Sequence, residues 1–490
     1  MSYSVTRRPF YVLFLYIKGL FLVLVISFVL IIQLEKGGIC MDFFNAVKGI
    51  NNVLWNYVLI FLLCGTGVLF TVSLKFVQVS KFKESFKKAF GGMSLKGKKA
   101  GKDGMSSFQS LATAVAAQVG TGNLAGAATA IVSGGAGAIF WMWISAFLGM
   151  ATIFGEAVLA QIFKEKVNGE VTGGPAYYIS KGLKSKFLAS FFSITIILAL
   201  GFIGNMVQAN SIGAAFSNIS NIPSWIIGII VAILGLVVFI GGIGRIASVT
   251  EKMVPIMALF YIIGSIIILA KNYTNILPAF KLIFVSAFNP KAAVGGVAGV
   301  TVKQAIRYGV ARGLFSNEAG MGSTPHAHAV AKVKHPVEQG LVAIVGVFID
   351  TFIVLTFTAF VILTTGVLDG KTTGIELTQN AFTQGLGNFG AYFIAIALFF
   401  FAFSTIIGWY FFGEANVKYL FKGKGLNIYR LLVAIFIVVG TTLKVDLVWE
   451  LADTFNGLMV IPNVIALIAL VKIVKESLKD YNENFKVTDK

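Results

Sequence analysis

Twelve apolar runs of 18 to 30 residues follow one another along this chain, at about 10–32, 53–76, 107–133, 137–163, 187–216, 223–242, 249–271, 293–316, 338–366, 390–414, 426–443 and 447–473. A helix rises 1.5 Å per residue, so about 20 apolar residues cross the roughly 30 Å hydrocarbon core of a bilayer. Backbone in lipid must satisfy its own hydrogen bonds, which makes helices the natural form for such runs. Charged residues are only 12% of the 490, against 57% hydrophobic ones, too few to clothe a soluble domain. The chain reads as an all-α integral membrane protein of about eleven or twelve spans, multi-pass in the cell membrane, with the lipid bilayer as its solvent.

The formal net charge of +19 would suit a nucleic-acid partner, but its placement argues against one. Lysines gather in short stretches between apolar runs, where they fix orientation. Segment 77–106 carries Lys81, Lys83, Lys87, Lys88, Lys96, Lys98, Lys99 and Lys102 against Glu84 and Asp103, which marks it as cytoplasmic. Alternation then places loops 164–186, 243–252, 317–337 and 415–430 inside, each with two or more basic residues, together with the tail 474–490. Loops 217–222, 272–292 and 367–389 fall outside; 272–292, with Lys281 and Lys291, fits the rule least. Cys40 and Cys64 supply neither a disulfide framework nor a metal cluster. His326, His328 and His335 read as loop histidines near a membrane surface rather than ligands.

Residues 1–40 stand apart. Arg7 and Arg8 precede an apolar run too long for a signal-peptide core and without an A-x-A cleavage site. Two readings stand: an extra helix that starts inside, or a start at Met41, which opens MDFFNAVKGI. Segment 41–106 reads as a scaffold helix followed by a basic loop. Segments 107–271 and 272–473 then supply five helices each. An odd number of spans per half makes the halves run in opposite directions, which is an inverted repeat.

The first helix of each half has the unusual sequence. In the first, AAQVGTGNLAG runs from Ala116 to Gly126, with Gly120 and Gly122 flanking Thr121 and with Gln118 and Asn123 close by. Each glycine weakens a helix by about 1 kcal/mol. Small residues also serve close helix crossings, but the polar trio in the same turn is expensive to place in lipid. The stretch therefore predicts a helix broken in mid-membrane. The half before the break would leave carbonyls of Ala116 to Val119 free, which are hard ligands for a cation. The half after it, beginning near Gly122, would present free backbone N–H groups and a positive dipole end, suited to a carboxylate.

The matching helix contains GLFSNEAGMGS, Gly313 to Ser323. It is either a polar cytoplasmic loop after a helix that ends near Phe315, or a second break. In the second reading Ser316, Asn317 and nearby carbonyls would receive an ammonium, and Phe315 would wall a pocket. The run 390–414 holds the adjacent hydroxyls Ser404 and Thr405, with Trp409 one turn on and on the same face. Such hydroxyls often bond the carbonyl four residues back; paired with the carbonyls near Val119 they would complete a cation shell. Trp409 would close the pocket, although a lone Trp also serves as an interface anchor. Glu156, Asp350 and Asp453 lie within runs, where acids default to function.

At these residues the chain resembles the alanine or glycine:cation symporter family. AAQVGTGNLAG, GGAGAIFWMW (Gly134 to Trp143), GGPAYYI (Gly173 to Ile179) and ARGLFSNEAGMGS look like its signatures, in family order, from about Met41 onward. The resemblance implies a leucine-transporter-type fold, with two inverted five-helix repeats plus an N-terminal scaffold helix. It implies sodium-driven uptake of small neutral amino acids such as alanine and glycine, with no other cofactor. It places sodium on the carbonyls of Ala116 and Val119 and the hydroxyls of Ser404 and Thr405, with Asn123 at a position that serves another sodium site. Substrate contacts fall on Gln118, the backbone of Gly120, Thr121 and Gly122, the region Phe315 to Asn317, Thr405 and Trp409. A proton-coupled transporter that uses Glu156 or Asp350 is the rival of the same fold. An intramembrane enzyme finds no HExxH or GxSxG here, and a channel would conduct without saturating.

Overall fold

The computed structural model describes residues 39–91, 104–289 and 301–485. The readings of residues 1–38 as an added helix and of 92–103 as part of a basic loop lie outside them. Residues up to Ile50 form one unit, and Asn51–Lys490 form a second that contains all the packing below.

Helices dominate. Seven among the described residues are long and apolar enough to cross a membrane. They are α1 (Phe44–Ser73), α5 (Gly137–Phe163), α7 (Lys186–Ile219), α9 (Gly242–Lys271), α13 (Pro336–Thr365), α15 (Phe389–Phe421) and the apolar part of α17 (Val445–Asp480). An eighth span is broken: α3 (Ser107–Gln118) and a second half, Gly122–Gly134, whose last two turns are α4 (Ala127–Gly134), are bent by 48° to each other. The remaining helices are α2 (Phe82–Phe90), α6 (Pro175–Gly182), α8 (Ser224–Ile240), α10 (Ile276–Phe288), α11 (Val302–Asn317), α12 (Pro325–Ala329), α14 (Gly374–Leu386) and α16 (Leu426–Gly440). A two-stranded antiparallel hairpin, β1 (Glu165–Val167) and β2 (Glu170–Thr172), precedes α6.

Local chemistry sets the two unusual helices. Both α3 and α11 start on a capping box. The Ser106 hydroxyl accepts from Gln109 N while the Gln109 side chain accepts from Ser106 N; Thr301 and Gln304 repeat the pair. α11 packs beside α4, and its continuation α12 packs beside α3, where the Ser110 hydroxyl donates to Ala327 O at 2.9 Å. The two interrupted helices thus pass each other in opposite directions with their breaks side by side. Around them, α5 packs on α11 and α13, and α15 packs on α3, α7 and α14. Glycines permit the closest of these approaches: a Cβ on Gly309 would come within 2.5 Å of Ala138 O on α5.

Three inter-span segments differ from the hydropathy reading. Residues 309–331, assigned to the end of a helix and a cytoplasmic loop, are continuously buried in protein. Segment 272–292, assigned to an outside loop, contains α10, which packs on α5. Its 13 residues are too few to span, and Lys281 interrupts the run, so hydropathy passes over it. Segment 367–389 folds into α14, whose Thr378 hydroxyl donates to Leu124 O beside the first break at 3.1 Å. A half-buried helix alternates polar and apolar faces and leaves no long apolar run to detect.

Candidate functional site

The first break lies between Gln118 and Gly122. Val119 leaves the helix at φ −82°, ψ 89°. Asn123 Oδ1 accepts from Gly120 N at 2.9 Å, and Gln208 Oε1, reaching in from α7, accepts from Thr121 N at 3.1 Å. Side chains therefore take two of the N–H groups expected to be bare. Both glycines are there for space rather than for a left-handed backbone. A Cβ on Gly120 would sit 2.4 Å from Thr405 Oγ1, and one on Gly122 would sit 2.9 Å from Ser316 Cα. Two buried side-chain atoms here, Gln118 Oε1 and Thr121 Oγ1, have no protein partner. Buried polar atoms are rarely left so, and such orphans point to a ligand or water.

Against the end of α3 stands α15. The Thr405 hydroxyl lies 3.0 Å from Ala116 O, 3.4 Å from Val119 O and 3.0 Å from Phe401 O. The Ser404 hydroxyl lies 3.2 Å from Ala116 O and 2.8 Å from Phe401 O. The bond back to the preceding turn is thus present, and so is the reach across to α3. A hydroxyl has one proton to donate, and the one on Thr405 has three carbonyls around it. Crowding of oxygens from two elements is the donor chemistry of a hard cation. An ion about 2.4 Å from two oxygens at a right angle would set them roughly 3.4 Å apart, close to the spacings seen. Ala116, Val119, Ser404 and Thr405 are brought together in this way.

Asn123 belongs elsewhere. Its Nδ2 donates to Asp350 Oδ1 at 2.6 Å and to Asp350 O at 3.1 Å. Asp350 sits in a π-helical turn of α13, Phe348–Leu355, and also accepts from Ser316 Oγ at 2.9 Å and Thr351 Oγ1 at 2.8 Å. One carboxylate thereby ties the start of the second half of one broken helix to the end of α11.

The second break runs from Glu318 to Thr324 and uses left-handed backbone. φ is +59° at Glu318, +87° at Gly320 and +82° at Gly322. Glu156 of α5 holds it: its carboxylate accepts from Gly320 N at 3.0 Å and Gly322 N at 2.9 Å. Asn463 of α17 donates to Glu156 at 2.6 Å and to Gly320 O at 3.0 Å, and Tyr178 OH donates to Asn463. The breaks touch where Gln118 Nε2 donates to Asn317 O at 2.7 Å. The Asn317 side chain is already used, with Nδ2 toward Thr351 Oγ1 at 3.2 Å and Oδ1 accepting from Ala319 N at 3.1 Å. Trp409 is 1% exposed, so it is no interface anchor. Its ring stands edge-on to Phe315, with centroids 5.7 Å apart, and its Nε1–H donates to Glu318.

The other expected acid, Asp453, forms a bidentate pair with Arg312 of α11, at 2.9 and 2.7 Å. The histidines are not all surface-loop groups. His326 and His328 are each 1% exposed, in α12, because the chain continues the second broken helix there. His326 Nε2 accepts from Asn416 Nδ2 at 2.8 Å, and His335 caps the start of α13. Sequence reasoning passed over Gln208, Arg312 and Asn463, and gave Glu318, beside Ser316 and Asn317, no role. Asn205, Gln208, Asn210 and Ser211, clustered inside an apolar run, were the available signal for α7.

The model of the Sodium:alanine symporter family matches residues 41–490. A sodium/alanine symporter of Methanococcus maripaludis is 42% identical over 90% of this chain and 98% of that protein. A putative sodium/proton-dependent alanine carrier protein of Bacillus subtilis is 43% identical over 90% of this chain and 93% of its own. A probable sodium/glutamine symporter of the same bacterium is 43% identical over 89% of this chain and 90% of its own.

Proposed function

Because this chain belongs to the sodium:alanine symporter family, a family of transporters rather than enzymes, we propose that it imports small neutral amino acids, alanine and glycine, with sodium by alternating access. The observation that carries the reading is the oxygen cluster at the first break, where two carbonyls of α3 meet two hydroxyls of α15. Sodium would lie on Ala116 O, Val119 O, Ser404 Oγ and Thr405 Oγ1. The substrate would lie beside it, against Gln118 and the 120–122 turn, with its side chain toward Phe315 and Trp409. The orphaned Thr121 Oγ1, which can donate to the substrate carboxylate, and Gln118 Oε1, which can accept from its ammonium, support that placement.

The fold reading is a leucine-transporter-type arrangement. The paired capping boxes and the opposed crossing of the two broken helices support it. Sodium bound outside would favour the outward-open state, and its gradient would bias release inward through differential affinity for the two states. Each charge carried adds about 2.3 kcal/mol per 100 mV.

Coupling to protons is the second reading. Buried Asp350, held among the described residues by the neutral groups of Asn123, Ser316 and Thr351, favours it, as does a relative named sodium/proton-dependent. Radiolabelled alanine uptake into proteoliposomes tests both. At fixed pH, an imposed inward sodium gradient should drive accumulation; uptake indifferent to sodium would defeat the sodium reading. Competition by glycine and by glutamine tests the substrate class.

A further inference from the structure

Glu318 is a buried acid that the transport reading leaves without a task. It closes α11 in the left-handed region, its N–H donating to Leu314 O at 2.8 Å. A non-glycine residue there costs roughly 1–3 kcal/mol and persists only where its surroundings over-determine it. What fixes Glu318 is its side chain, which is 0% exposed. One carboxylate oxygen accepts the Trp409 indole N–H, and the other accepts the Ser323 hydroxyl at 2.5 Å. The indole has only this one donor. Its remaining constraints are apolar: the edge-on contact with Phe315, and Gly204 of α7, where a Cβ would come within 2.6 Å of indole Cζ3.

We infer that Glu318 is a positioning residue for substrate selection: it sets the pose of the Trp409 ring and so the largest amino-acid side chain the pocket accepts. This rests on the reading of Phe315 and Trp409 as the pocket wall. A ring held on three sides, one of them by a carboxylate, cannot swing aside for a longer substrate. Released from Glu318, it keeps only dispersion contacts, which tolerate several poses.

The test is a competition assay, with leucine and methionine against radiolabelled alanine, on proteoliposomes of the full chain. Glu318→Asp shortens the acceptor by one methylene and should let the larger amino acids compete roughly tenfold better, as Trp409→Ala should. Glu318→Gln keeps an acceptor for the indole N–H and a donor for Ser323, and should keep the exclusion. In the Trp409→Ala background, Glu318→Asp should add nothing, since the two act through one ring. Uniform loss of uptake with an unchanged ratio, or an added effect in that background, would overturn the inference. So would loss of exclusion in Glu318→Gln, because charge rather than pose would then be responsible. If Glu318→Asp is not recovered folded, Gly204→Ala presses the same ring from its other face, and an unchanged ratio there overturns the inference as well. If Trp409→Ala itself leaves the ratio unchanged, the pocket reading fails first and takes this inference with it.

Discussion

The two breaks solve the same problem in opposite ways. At Gln118–Gly122 the chain leaves the helix at Val119 without left-handed backbone: neither glycine has a positive φ, and neutral side chains, Asn123 and Gln208, take two freed N–H groups. At Glu318–Thr324 three residues are left-handed, and the carboxylate of Glu156, with Asn463, takes the freed groups. Both breaks have N–H groups tied off, and both keep an orphaned hydroxyl, Thr121 at the first and Thr324 at the second; the first adds the orphaned Gln118 Oε1 and the crowded carbonyls of Ala116 and Val119. A peptide group can serve a ligand only if the protein has not already used it. On the proposed reading the first break binds through its oxygens, and the second holds a shape against which binding occurs.

This contrast can be broken most severely at Glu156. Removing its carboxylate by Glu156→Ala strands two buried N–H groups and the Asn463 amide, each at about 1–3 kcal/mol. The summed loss rivals the whole stability of a typical domain. The expected outcome is little folded protein by size-exclusion chromatography in detergent, whereas a monodisperse and active variant would show that the anchor is dispensable. Next in size is Gly120→Ala. Its methyl would collide with Thr405 Oγ1, while Gly126→Ala meets nothing nearer than 3.8 Å. Sodium-driven alanine uptake should fall at least about tenfold in the first and stay near the parent level in the second. Equal effects would mean that the glycines matter for helix propensity rather than for approach.

Thr405→Ala comes third. It deletes one of the four proposed sodium ligands and leaves the carbonyls in place. The half-saturating sodium concentration should rise about tenfold, which corresponds to roughly 1.4 kcal/mol, with maximal uptake less affected. An unchanged sodium dependence would move the cation elsewhere, Asp350 being the next place to look.

The legibility of the two breaks in sequence also differs. Gly-Thr-Gly inside an apolar run conflicts with helix formation over a few residues, so the first break is visible locally. Ser404 and Thr405 are likewise visible as hydroxyls in an apolar run, with Trp409 on the face of Thr405 by spacing, but their meeting with the carbonyls of α3 is a long-range contact. The second break looks like a loop, because Ser316, Asn317 and Glu318 are polar and only burial by α5 and α17 shows otherwise. Its anchor, Glu156, is 162 residues from Glu318 by number (318 − 156), and no local pattern joins them. Asn123 was legible as a polar residue at the break, but its tie to Asp350 is a long-range contact that periodicity does not carry. The same limit hid Glu318 behind Trp409: each residue is visible alone, and only the fold makes them partners.

The smallest expected effect separates the two breaks most cleanly. Gln208→Ala and Asn463→Ala each remove a neutral amide that braces one break, through Thr121 N and Gly320 O respectively. Each bond is worth about 0.5–1.5 kcal/mol net, so the two deletions are alike in chemistry and differ in place. If the first break binds and the second holds shape, Gln208→Ala should raise the alanine concentration for half-maximal uptake several-fold, with a fall in melting temperature no larger than that of Asn463→Ala. Asn463→Ala should lower the melting temperature by a few degrees and leave half-saturation unmoved, because it loosens Glu156 rather than the site. Uptake titrations and thermal unfolding in detergent on the same preparations read both quantities. If both variants shift both quantities together, the breaks are one cooperative unit, and the division of labour between binding and bracing does not exist.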